Sequence, residues 1–116
     1  MQNHYFTAEV ASTWVPSDNL KSVITAICWW INYPFDQSDW TAVDYGYRGT
    51  DNDAGIWYRY PLMGTPPLEI DLTREPGADP VTIKVNATHP LPPHLQVQIE
   101  TTLSIFNSFN LRTPTD

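Results

Sequence analysis

The sequence predicts an α+β fold: a two-layer sandwich in which a four-stranded antiparallel meander carries two helices on one face. Three observations lead to it. One apolar run with helical spacing stands before the centre of the chain and another at its end, several runs between them alternate apolar and polar residues, and short turn-rich links join those runs.

Taken in order, residues 3 to 15 fit an additional N-terminal edge strand, since Phe6, Ala8 and Val10 alternate with Thr7, Glu9 and Ala11. After Pro16, Ser17 or Asp18 supplies a helix cap, and Leu20, Val23, Ile24, Ile27 and Ile31 recur at helical spacing until Pro34. At roughly 100° per residue these five share one face with Trp30 at its margin. Trp29 falls nearly opposite Leu20.

Four strand-like runs follow. Trp40 to Tyr47 is read as the first, with Thr41, Val43 and Tyr45 on one side and Trp40, Ala42 and Asp44 on the other. Its polar link, Arg48 to Gly55, leads to a second run in which Ile56, Tyr58, Tyr60 and Leu62 alternate with Trp57, Arg59 and Pro61. Gly64-Thr65-Pro66-Pro67 turns the chain back into Leu68, Ile70 and Leu72, which alternate with Glu69, Asp71 and Thr73. A second turn, Glu75 to Pro80, returns it through Val81, Ile83 and Val85. Short links make the meander antiparallel, because parallel neighbours need long crossovers.

The last element opens at Pro90-Leu91-Pro92-Pro93, where proline suits a first helical turn whose amides have no partner inside the helix. Leu95, Ile99, Thr102, Leu103, Phe106 and Phe109 lie along one face, the helix ends near Asn110, and residues 110–116 form a frayed tail. The whole chain, 1–116, is read as one domain, with both helices covering the apolar side of the sheet.

Pairing each hairpin about its turn places Arg59, Asp71 and Lys84 in one charged row on the uncovered face, with Trp57 beside Thr73 on the next rung. Trp40 and Asp44 are expected to border the same area. Ten of the fifteen aromatic residues (five Trp, six Tyr and four Phe in all) lie between Trp29 and Tyr60, more than a small core takes up. An indole left in water forgoes about 1.5–3 kcal/mol of burial and tends to meet a partner.

Charge sets the class of partner. Thirteen acids against six bases give a formal net charge of −7, which argues against a nucleic-acid backbone and favours a basic protein surface. The sequence has no basic patch followed by an apolar run at its start and no stretch of about 18 apolar residues, so neither secretion nor a membrane is expected and a cytoplasmic location is. The lone cysteine, Cys28, reads as a buried small hydrophobe.

Chemistry is sparse. His4, His89 and His94 share no ligand spacing, and Asp51-Asn52-Asp53 lacks the closing glutamate of a calcium loop, because Leu62 stands there. The five glycines are scattered, so no phosphate loop is present and no metal or cofactor is expected. The resulting expectation is a small acidic domain that binds protein. It acts either as an inhibitor or immunity-type protein against a basic partner or as a homodimer subunit. Asp36, Asp39, Asp44, Asp51 and Asp53 supply attraction, Trp29, Trp40 and Trp57 the buried anchors, and Arg59 stands beside them. The alternative is a small hydrolase or carbohydrate-binding module built on Asp44 and the rings around it.

Overall fold

The computed structural model describes residues 8–49, 56–74 and 80–106. The element order is β1 (Ala8–Val15), a 3-10 turn (Ser17–Asn19), α1 (Leu20–Trp30), α2 (Gln37–Gly49), β2 (Ile56–Leu62), β3 (Leu68–Arg74), β4 (Val81–Ala87) and α3 (Pro93–Phe106). The four strands form one antiparallel sheet in the order β1-β4-β3-β2. It is an α+β two-layer sandwich in which the β2-β3-β4 meander is extended by the N-terminal strand.

The pleat sorts the residues cleanly. Tyr58, Leu72 and Ile83 share a cross-strand row, as do Tyr60, Ile70 and Val85, and these rows face the helices. In α1, Leu20, Val23, Ile24 and Ile27 are at most 1% exposed and join the same core. Leu95, Ile99 and Leu103 of α3 complete it. Each buried Leu or Ile contributes about 1.5–3 kcal/mol of transfer free energy, so this single cluster dominates the fold's stability.

Residues 40 to 47 form no strand; this expectation is corrected. They belong to the helix α2, and the sheet takes its fourth strand from the N-terminus instead. Trp, Val and Tyr favour strands, and the alternation of Thr41, Val43 and Tyr45 imitates one over five residues. What decides the matter is the segment's start. Asp36 Oδ1 accepts from the amides of Ser38 and Asp39 at 3.0 and 3.1 Å, and Asp39 Oδ2 accepts in return from the Asp36 amide at 3.1 Å. This reciprocal capping satisfies amide groups that open a helix. Val43 is fully buried beneath it, and Gly46 lets the Tyr58 ring lie against the helix backbone where a Cβ would collide.

Two smaller corrections have local causes. Neither Ser17 nor Asp18 caps α1: the residue at its N-cap is Asn19, with no side-chain cap, and the 3-10 turn feeds straight into the helix. α1 stops before Pro34, because Asn32 adopts a left-handed conformation (φ 55) while the Tyr33 amide returns to the Cys28 carbonyl at 3.0 Å. In β1 a bulge between Glu9 and Ala11 breaks the alternation. Val10 and Val15, five residues apart, are therefore both buried, which a strict alternation would not allow. Phe6 and Phe109 lie outside the described residues.

Candidate binding surfaces

On the side of the sheet away from the core, no described helix covers the strands. Asp71 pairs with Arg59 on β2 and Lys84 on β4, as the hairpin geometry predicted, and Ser12 of β1 extends the row. The Arg59 guanidinium donates to Asp71 from Nε at 2.7 Å and from Nη2 at 3.3 Å, and its Nε is also 3.2 Å from Glu69 Oε1. Asn86 Nδ2 donates to the second Asp71 oxygen at 3.1 Å. Although this face has no helix over it, Asp71 and Glu69 are only 4% and 9% exposed. Burial pushes the Glu69 carboxyl above its ordinary range despite Arg59, while the bond to Asp71 raises the guanidinium further. With its oxygens engaged, the cluster ties β2, β3 and β4 together and is primarily structural.

The next row reads Trp14, Thr82, Thr73, Trp57 across all four strands. The pairing of Trp57 with Thr73 follows the expected register, while its side chain lies outside the described residues. Trp14, 60% exposed, was not anticipated here: the alternation of Phe6, Ala8 and Val10 continued unbroken would turn it to the apolar side, and the bulge reverses it. Trp40 and Asp44 do not border this face. They sit one turn apart on α2, on the helical side, where Trp40 packs half-buried against the core and Asp44 is partly exposed.

Asp36 and Asp39, expected at a partner surface, are committed first to folding. Asp39 Oδ1 accepts from the Tyr33 hydroxyl at 2.7 Å and the Tyr60 hydroxyl at 2.8 Å, so one carboxylate joins the α1-α2 link to β2. The bond to Asp39, followed by burial, pushes the Tyr33 phenol up to about 12. For Tyr60, burial comes first and Asp39 second, and the shift is again upward. Asp36 is exposed, and hydrogen bonds from Ser38, then from the Asp39 amide, hold its carboxyl below the ordinary range and keep it charged. Cys28 is 1% exposed, and burial, helped by the charge of Asp39, pushes its thiol to about 12, which leaves it an unreactive neutral group near pH 7.

Trp29 and Trp30 divide as the helical angle predicted. Trp30, 36% exposed at the margin of the buried face, donates its indole N–H to Thr102 Oγ1 at 2.9 Å, linking α1 to α3. Trp29 is 75% exposed. It stands in a shallow groove of about 560 Å³ whose walls are Tyr33, Pro34 and Phe35 from the link and Ala26 and Thr25 from α1. Lys21 also lines it, with its ammonium 3.3 Å from Gln37 Oε1. The groove's composition was foreshadowed by the aromatic density of the segment; its walls were not, since they depend on the turn at Asn32.

Asp51 and Asp53 lie outside the described residues. Among the described residues no group of three or more His, Cys, Asp or Glu could hold a metal ion, and no helix is long and apolar enough to cross a membrane. Compared with protein-family models, with curated proteins and with solved structures, the chain matches none.

Proposed function

We propose that the chain is a non-catalytic protein-binding domain that engages a basic surface on its partner through the Trp29 groove. The observation that carries this reading is a tryptophan 75% exposed that shares one groove with Tyr33, Pro34 and Phe35. Large aromatic side chains in a shallow apolar depression supply the anchor energy of interfaces. Asp36, exposed, held charged and next in the chain to Phe35, and the net charge of −7 supply steering toward a cationic partner, while Lys21, the one charged side chain of the groove lining, lies against Gln37. An inhibitor or immunity-type role against a basic enzyme is the concrete form of this function.

Photo-cross-linking in the cells that produce the protein tests it. Trp29→benzoylphenylalanine is expected to give a discrete adduct with a second, basic protein, at a yield that falls as salt rises. Thr101→benzoylphenylalanine, on the exposed side of α3, gives none. Equal adducts at both positions would overturn the groove assignment, and an adduct of two copies of this chain would replace the basic partner with self-association.

A further inference from the structure

A second surface, sharing no residue with the Trp29 groove, lies at the end of the sheet. β1 has β4 on one side and no described strand on the other. The opposite end strand, β2, carries Pro61, which has no amide hydrogen to offer a neighbour and so is poorly suited to extension. β1 contains no proline between Ala8 and Val15.

At its bulge β1 is bonded to α3. The Val10 carbonyl accepts from Gln96 Nε2 at 2.7 Å, and the same amide nitrogen donates to Glu100 Oε2 at 2.7 Å. Gln96 thereby takes up the Val10 carbonyl at the bulge and fixes the Glu100 carboxylate beside the strand. Between residues 9–13 of β1 and the adjoining turn of α3 runs a groove of about 380 Å³. Its floor is the buried pair Val10 and Leu103, and its rim includes the exposed Glu9, Ser12 and Glu100. Five strand residues span roughly 17 Å, the length of a short extended peptide.

From this geometry we propose that the groove takes an extended basic peptide segment, which adds to β1 as a fifth strand. Main-chain bonds to the edge give such an occupant affinity, and alternate side chains give it specificity. An apolar residue covers Leu103, while cations meet Glu100 on the helical side and Glu9 on the open side. Both charged residues of the groove lining are carboxylates, which selects a basic occupant. A second copy of this chain would bring another β1, which carries Glu9 and no lysine or arginine, together with a second net charge of −7.

The test uses the full chain and a fluorescent hexapeptide of alternating lysine and valine, with two controls: the same peptide N-methylated at alternate amides, and its glutamate-for-lysine counterpart. Fluorescence anisotropy should show binding of the first peptide only. Amide exchange at residues 9–13 should slow in the complex. The double substitution Glu9→Gln with Glu100→Gln, which removes charge from two exposed side chains, should weaken binding about tenfold or more at an unchanged thermal midpoint. Equal affinity for the N-methylated peptide would overturn strand addition and leave only charge attraction. Unchanged affinity in the double variant, or a peptide-independent dimer that protects residues 9–13, would also overturn the proposal. None of these readouts involves Trp29, so failure here is separable from failure of the groove reading.

Discussion

Replacing Asp39 dissects how α2 is held to the sheet. The carboxylate accepts from the Tyr33 and Tyr60 hydroxyls at 2.7 and 2.8 Å and from the Asp36 amide at 3.1 Å. A hydrogen bond to a charged group contributes about 1.5–3 kcal/mol when well shielded. Here the two phenols are only partly buried and can recover water, so roughly half of that survives per bond. Adding about 1 kcal/mol for the lost helix cap, Asp39→Ala should destabilise the fold by about 2–4 kcal/mol. Asp39→Asn keeps an acceptor but loses its charge, and about 1–2 kcal/mol is expected.

Urea unfolding at neutral pH measures both substitutions, and the alkaline limb checks the cause. The Tyr33 phenol, ordinarily near 10, is pushed up to about 12 in the folded chain, and Tyr60 also shifts upward. A group whose folded-state pKa is raised stabilises fully below its unfolded pKa and loses that contribution as pH climbs through the folded value. Native stability should therefore fall from pH about 10 to about 12, and the fall should shrink in Asp39→Asn. An Asp39→Ala chain within about 0.5 kcal/mol of native, or an identical alkaline limb in Asp39→Asn, would refute the reasoning.

Three further substitutions probe other joints. Gly64→Ala would place a Cβ 2.5 Å from the Ile31 carbonyl oxygen and 2.7 Å from that residue's buried side chain, so a loss of about 1–3 kcal/mol is expected in urea unfolding. Trp30→Phe removes the indole donor to Thr102, which is 6% exposed, and calorimetry should show about 1–2 kcal/mol lost. Arg59→Met strips the cation from Asp71 and Glu69; because the guanidinium is half-exposed, about 2 kcal/mol is expected rather than the 3–5 kcal/mol of a fully buried pair, measured by chemical denaturation.

The parts of the fold legible in the sequence are those where one periodicity governs a whole element. β3 and β4 alternate without interruption, and pairing β2 with β3 and β3 with β4 as hairpins yields the register that puts Asp71 between Arg59 and Lys84. α1 likewise assigned Leu20 to the core and Trp29 to solvent. α2 was hidden because strand-favouring rings alternate through its middle, although Asp36 and Asp39 carried a capping pattern three residues apart that marks a helix start. Once α2 is a helix, Trp40 and Asp44 leave the open face, and two of the residues expected to form a single surface part from Arg59.

Functional geometry was less accessible because it depends on distant pairs. Asp39 meets Tyr60 across 21 positions, and Gln96 meets Val10 across 86, distances along the chain that no local pattern reports. The bulge at Val10 changes the phase of β1 partway along, which hid the outward position of Trp14 and the groove beside α3. What composition did convey was the surplus of rings around Trp29 and the acidity of the chain, which together motivate a binding function without naming its partner.

Trp29 is held out of the fold, and the proposed function assigns it to a partner rather than to stability. The unfolding midpoint of Trp29→Ala in urea tests this most directly. A midpoint equal to the native one, within about 0.5 kcal/mol at unchanged slope, is expected for a side chain 75% exposed. A drop matching or exceeding that of Trp30→Phe would show Trp29 to be part of the fold's own packing and would contradict the account.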